Sequence, residues 1–270
     1  MKTIAPDLLE RVRIQKPLIH HLTNWVTIYD CANIVKVFGA SPVMAHAKEE
    51  VADMAAIASA VVLNIGTLTS DLVEAMKIAA ISANAKGIPV VLDVCGAGAT
   101  RFRDDVCFDL LDGVRISVIK GNASEVARIA GEKVRTKGVD AVEAAEIEKD
   151  LPGIAAGLAR KRGCTVVITG PEDIVTDGIR TVLVRNGHPM MASVVGTGCM
   201  AASVIGTFAA VEEDLVEASV AGLACYEIAA EVAAASKDVR GPGSFKERMF
   251  DCVFNLDAET INRMQRVEEL

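Results

Sequence analysis

Aromatic side chains are scarce in this chain: one Trp, two Tyr and seven Phe among 270 residues. A core with few large rings must be filled by small and branched residues. Ala and Val are abundant, which suits helices held close against a buried sheet. No apolar run reaches the roughly 18–20 residues a membrane span needs; even the Ala-rich stretch 196–211 stops at Glu212. The opening residues, MKTIAPDLLERVR, bring charges before any apolar core, which argues against an export signal. No basic block of five or more occurs, and 28 Lys and Arg against 36 Asp and Glu leave a formal charge of −8. That excludes the electrostatic footprint of a nucleic-acid or anionic-membrane binder. Seven cysteines are an odd number, with no CxxC. Neither a disulfide framework nor a zinc site is expected, and the pattern reads as reduced and cytoplasmic. Two nucleotide motifs are also missing. Residues 96–101, GAGATR, begin like GxGxxG but lack the third glycine, and no GxxxxGK[ST] exists.

At 51% apolar and 24% charged residues, the composition is that of a folded chain. Short β-branched runs alternate with helical patterns. VVLNIG (61–66) is followed by a helix pattern over 69–87 that stops at a glycine, then IPVVLDV (88–94). A Gly-rich turn with a short helix leads to ISVIKGN (116–122), a helix from Ala123, a polar and exposed stretch 131–145, and CTVVITG (164–170). Strand–helix alternation of this kind builds right-handed βαβ units on a parallel sheet covered on both faces. Residues 174–187 break the rhythm and read as a hairpin at the sheet's edge, turning at Thr176-Asp177-Gly178. Helices are expected at 198–211 and 213–236, with a last one after Gly241-Pro242-Gly243-Ser244. The expectation is one α/β domain over 1–270 with a mostly parallel central sheet.

Ligands collect at the carboxyl ends of parallel strands. The residues that follow each strand are therefore site candidates: Asn64 to Thr67, Asp93 with Gly96-Ala97-Gly98, Lys120 to Glu125, and Thr169-Gly170. Gly196-Thr197-Gly198-Cys199 is the sharpest feature. Two glycines allow a tight turn, and the helix beyond offers free N–H groups that suit a phosphoryl group. A plain glycine-rich helix start with a buried cysteine is the competing reading. Asn122-Ala123-Ser124-Glu125 also reads as a capping box.

Seven segments carry a resemblance: VVGTGCM (194–200), GASPVMAHA (39–47), KGNASE (120–125), TKGVD (136–140), ITGPEDIVTDG (168–178), NGHPMM (186–191) and GPGSF (241–245). In this order they make the chain resemble the hydroxyethylthiazole kinases of the ribokinase-like superfamily. The resemblance implies transfer of the γ-phosphoryl group of ATP, with Mg²⁺, to the primary alcohol of 4-methyl-5-(2-hydroxyethyl)thiazole in thiamine salvage. It implies an anion hole at Gly196, Thr197 and Gly198, with Gly196 also bordering the substrate and Cys199 at the substrate hydroxyl. Met44, Asn24, Val26 and Gly66 correspond to substrate-pocket positions, Lys120 and Thr169 to ATP contacts, and Asp93 and Glu125 to metal carriers. Family members are trimers with sites between subunits, so a homotrimer is implied.

This chain departs from the family pattern at Val195, at Lys120 where arginine is usual, and at Val94-Cys95 where Pro-Val is common. Rival readings keep the fold: a kinase of another small alcohol such as a hydroxymethylpyrimidine, a lyase, or a nucleotide-binding module. The kinase and lyase relatives favour aspartate at the Cys199 position.

Overall fold

The computed structural model describes residues 3–131 and 150–270, with the backbone of 136–137 and 140–141. The polar stretch 131–145 falls, beyond Gly131, outside the residues whose side chains are described, as does the TKGVD segment. The elements in order are α1 (Ala5–Gln15), β1 (Leu18–Leu22), α2 (Ile28–Phe38), β2 (Ser41–Val43), α3 (Val51–Ile57), β3 (Ala60–Asn64) and α4 (Ser70–Lys86). Next come β4 (Val90–Asp93), α5 (Arg101–Gly113), β5 (Val118–Asn122), α6 (Ala123–Ala130), β6 (Thr136–Lys137), β7 (Asp140–Ala141), α7 (Leu151–Arg162) and β8 (Thr165–Thr169). The chain closes with β9 (Asp173–Thr176), β10 (Thr181–Val184), a 3₁₀ turn (Pro189–Ser193), α8 (Thr197–Ala209), α9 (Leu215–Ala234), α10 (Pro242–Phe254), α11 (Ala258–Met264) and β11 (Val267–Glu269).

The central sheet runs β2-β1-β3-β4-β5-β8-β9-β10-β11. The strands from β2 to β8 are parallel; β9, β10 and β11 join by antiparallel pairing. The hairpin read from 174–187 is present as β9–β10, but it is not the edge: β11 pairs outside β10. The helix after Gly241 is likewise not the last, because α11 and β11 follow it. A three-residue strand of sequence VEE is too short and too charged to stand out in a sequence, and pairing with Val182–Val184 creates it. The helix after the Gly-rich turn also runs longer than expected, at 13 residues.

Two apolar layers sandwich the sheet. One is built from α1, α2, α8, α9 and α10, the other from α3 to α7. Strand periodicity of two divides the strands between them: Val62, Val91, Val118 and Val167 face the α8 side, while Leu63, Leu92, Ile119 and Val166 face the other. The shortage of large rings has its reason here. A Cβ on Gly206 of α8 would stand 2.5 Å from Val62 Cγ2, so only a residue without a side chain lets α8 lie this close to β3.

Candidate active site

The same periodicity places the polar cluster. Two residues after Val62, Val91 and Val118 come Asn64, Asp93 and Lys120, on the α8 face at the strands' carboxyl ends. Register sets them side by side: Asn64 pairs with Asp93 and Asp93 with Lys120. Asn64 Nδ2 donates to Asp93 Oδ2 at 2.6 Å, and Lys120 Nζ donates to Asp93 Oδ1 at 3.4 Å. All three side chains are buried. Lys120 is therefore a buried cation at its strand end, and Asp93 closes β4 in an ion pair with it. Burial raises the Asp93 carboxyl above its usual range, opposed by Lys120 and Asn64.

Glu125 completes the group from the start of α6. The capping box is present: Asn122 Oδ1 accepts from Glu125 N at 2.9 Å, and Glu125 Oε2 accepts from Asn122 N at 2.8 Å. The other oxygen, Oε1, accepts from Gly96 N at 2.6 Å, so the carboxylate ties the β5 end to the Gly-rich turn after β4. Burial pushes the Glu125 carboxyl up to about 7, with Lys120 opposing and Asp93 adding.

Above this row sits the start of α8. Gly196 has φ +94°, and a Cβ there would meet Thr27 Cγ2 at 2.6 Å, so the turn demands glycine. The first i→i−4 bond of α8 is Met200 N to Gly196 O at 2.8 Å. The N–H groups of Thr197, Gly198 and Cys199 precede it and have no carbonyl within the helix. The Thr197 hydroxyl donates backwards, to Met191 O at 3.1 Å, so its side chain holds the 3₁₀ turn and leaves only its backbone N–H at the helix start. Cys199 Sγ accepts from Asn24 Nδ2 at 3.3 Å and Asn64 Nδ2 at 3.4 Å. Hydrogen bonding from the Cys95 thiol draws the Cys199 thiol below its ordinary value.

Asn24 ties the residues after β1 to this row. Its Oδ1 accepts from Val26 N, Thr27 N and Thr27 Oγ1, while its Nδ2 also reaches Asn64 Oδ1 at 3.0 Å. Gly66 N donates to the same Asn64 oxygen at 2.8 Å. Asn24, Gly66, Cys199, Asp93 and Lys120 are thus brought into one network. Met44 is half-buried just beyond β2, and the Val26 side chain is exposed. Thr169 Oγ1 donates to Gly121 O at 3.4 Å. It lines a cavity of about 520 Å³ together with Thr197, Gly198, Asn186, Gly187 and His188.

Three contributors escaped the sequence reading. Arg103 of α5 donates to the carbonyls of Ile65, Cys95 and Gly66 at 2.8, 2.8 and 2.6 Å, locking the β3 and β4 loops together. Asp104 accepts from Gly98 N at 2.6 Å and is itself held by Arg128. Tyr226 donates to Thr197 O at 3.2 Å and so fixes α9 to the start of α8. The charges of Arg103 and Asp104 on an amphipathic helix look like a solvated face. Only the tertiary arrangement shows that they reach inward.

Among the described residues, no group of three or more His, Cys, Asp or Glu side chains is placed to hold a metal ion, and no helix is long and apolar enough to cross a membrane. All seven cysteines are free thiols.

Comparison with known proteins gives the same answer along the whole chain. The model of the Hydroxyethylthiazole kinase family matches residues 9–259. The hydroxyethylthiazole kinase of Methanosarcina mazei is 54% identical over 262 residues, covering 97% of this chain and 98% of that protein. The solved structure of the hydroxyethylthiazole kinase protein from Pyrococcus horikoshii superposes with a TM-score of 0.90 at 38% identity, covering 99% of each chain. A ribokinase-like superfamily protein from Enterococcus faecalis superposes with a TM-score of 0.64 at 14% identity over 93% of this chain and 94% of that one, a likeness of fold alone.

Proposed function

The chain belongs to the hydroxyethylthiazole kinase family, and from that premise we propose that it phosphorylates the primary alcohol of 4-methyl-5-(2-hydroxyethyl)thiazole with ATP, as one kinase domain over its 270 residues. The observation that carries the assignment of roles is the junction of α8 with the polar row: free N–H groups at Gly198 and Cys199 stand over Lys120, Asp93 and Asn64. Phosphoryl transfer asks a protein for positioning and charge neutralisation more than for covalent chemistry. This junction supplies both.

In this reading the N–H groups of Gly196–Cys199 and the α8 dipole receive the negative charge on the transferring phosphoryl group. Lys120 neutralises phosphate oxygens as a point charge, without the fork of an arginine. Thr169 offers its hydroxyl to the nucleotide from the wall of the cavity. The thiazole alcohol approaches from the Asn24 side. There Cys199 faces the hydroxyl, and Asn24, Gly66, Val26 and Met44 border the ring.

Cys199 receives two amide N–H groups and a thiol proton, an environment that supports negative charge on sulfur. It accepts the alcohol's proton or steers the hydroxyl in line. The anion hole contributes the larger share of the rate. A thiol is a weaker base than the aspartate of related kinases.

Mg²⁺ fits the residues present. Asp93 and Glu125 are buried carboxylates that act on each other unfavourably, with Lys120 as the shared cation, and a divalent ion offsets the remaining charge. When bound, the ion neutralises and orients the phosphates. Asp93 and Glu125 would hold it largely through water, since Glu125 already accepts two backbone N–H groups.

A homotrimer with sites between subunits is supported by the apolar surface around the ring pocket. Trp25, Val26 and Tyr29 are 55%, 69% and 75% exposed, and the Trp25 ring lies 4.9 Å from that of His46. A cytoplasmic location agrees with the free thiols.

The test is coupled ADP release with ATP and Mg²⁺, using the thiazole alcohol, a hydroxymethylpyrimidine or no acceptor. Release that depends on the thiazole is expected. Release with the pyrimidine alone would move the pocket assignment, and silence with both from folded protein would overturn the reading.

A further inference from the structure

The cavity beside the anion hole has an acidic wall that the phosphoryl chemistry does not use. Asp173, the first residue of β9, and Glu227, on α9, both line it. They are only 2% and 6% exposed. Asp173 Oδ1 accepts from Gly170 N at 2.9 Å, but among the described residues no N–H reaches Asp173 Oδ2 or Glu227 Oε2. Gly187, with φ +109°, has no side chain to cover Glu227: a Cβ there would lie 3.6–3.8 Å from its carboxyl group. The two carboxyl groups hydrogen-bond each other, and burial raises both above the usual carboxylate range.

Little neutralises them. Lys120 acts on Asp173 from across the row, but it is already paired with Asp93. Arg266 acts on Glu227, but its guanidinium is held by Glu231, which opposes it. Two buried acids without cations cannot both stay ionised, so the pair holds one proton and offers acceptor oxygens to the cavity. The shared proton satisfies one oxygen of the pair, and the remaining buried acceptor positions favour a ligand that brings donors.

A nucleotide with its phosphates at Gly198 and Thr169 carries its ribose into this cavity, and vicinal hydroxyls are the donors that carboxylates take in ribose recognition generally. We propose that Asp173 and Glu227 form the ribose subsite of the nucleotide site, accepting hydrogen bonds from the 2′- and 3′-hydroxyls. This rests on reading the cavity as the ATP site, and it adds a specificity for ribonucleotides over deoxyribonucleotides. A cation held between the two carboxylates is the competing occupant.

Direct titration of the whole protein with ADP, 2′-deoxy-ADP and 3′-deoxy-ADP, without any thiazole, tests it. Loss of either hydroxyl is expected to weaken binding about tenfold, the worth of one hydrogen bond to a charged acceptor. In Glu227→Gln the new amide donates to Asp173. That variant should melt at a higher temperature than the parent, bind ADP about tenfold more weakly, and no longer distinguish the deoxy forms. Asp173→Asn should lose the discrimination in the same way. A merely structural pair would not link a higher melting temperature to weaker ADP binding. Equal binding of all three nucleotides would overturn the subsite while leaving the kinase reading intact. So would a potassium- or magnesium-dependence of ADP binding that the variants remove while they still distinguish the deoxy forms. Absence of ADP binding would overturn both.

Discussion

The ammonium of Lys120 lies 3.1 Å from the point where a Cβ on Gly198 would stand. The second glycine of the α8 turn thus leaves the cation room against the start of the helix. Gly198→Ala presses a methyl group onto Lys120. It should lower kcat by about 10²–10³-fold, the range for losing one donor from an oxyanion hole. Gly198→Leu should abolish turnover while the circular dichroism spectrum stays that of the parent. An active, folded Gly198→Leu enzyme would contradict the anion hole.

Arg103 is a positioning residue whose loss should be felt both in stability and at the site. Its guanidinium joins the carbonyls of Ile65, Gly66 and Cys95. Arg103→Leu leaves these acceptors unpaired and should cost about 2–4 kcal/mol in urea unfolding. Arg103→Lys cannot span them as a fork and should recover only part of that. Unchanged unfolding midpoints would show that the three bonds do no structural work.

Cys95 stands where its relatives commonly have valine, and it changes the chemistry of its neighbour. Its thiol donates to Cys199, which lowers the Cys199 thiol and raises that of Cys95. Cys95→Val removes the donor, so the Cys199 thiol titrates higher and less thiolate is present at neutral pH. Alkylation of Cys199 by iodoacetamide at pH 7, followed by peptide mass analysis, should slow severalfold. Alkylation at the parental rate would mean that Cys95 does not tune Cys199.

His21 gives the fold a dependence on acid. It is fully buried, its Nδ1 bonds Ile19 O at 3.1 Å and, among the described residues, its Nε2 has no partner. Burial depresses its pKa to about 4. The unfolded chain takes up its proton below about pH 6.5 and the folded chain only near 4, so stability falls as pH falls through that window. The full effect is about 3 kcal/mol. Glu125, raised to about 7, acts in the opposite sense between its ordinary range and 7, so the informative quantity is parent minus His21→Met. That signed difference, from urea unfolding at pH 7, 5.5 and 4, should fall on acidification. A constant difference would contradict a neutral His21 in the fold.

Legibility in the sequence followed the range of the interactions. Asn64, Asp93 and Lys120 sit at ends of β-branched runs, and strand periodicity alone puts them on one face, so local pattern was enough. The capping box at Asn122 and Glu125 spans four residues and was equally readable. Arg103 reaches carbonyls 8 to 38 positions away, and nothing in the α5 pattern separates it from its exposed neighbour Arg101. The outer strand Val267–Glu269 exists only because β10 offers it an edge. Val26 matched a pocket position by resemblance, yet its side chain is exposed in the single chain.

The most direct test of the account is to identify the product. ATP, Mg²⁺ and 4-methyl-5-(2-hydroxyethyl)thiazole are incubated with the parent and with Gly198→Leu, and ³¹P spectra are recorded. The parent should yield a thiazole phosphate monoester in one-to-one ratio with ADP, and Gly198→Leu should yield neither. ADP without the ester, or the ester from both proteins alike, would contradict transfer to the alcohol at the α8 anion hole.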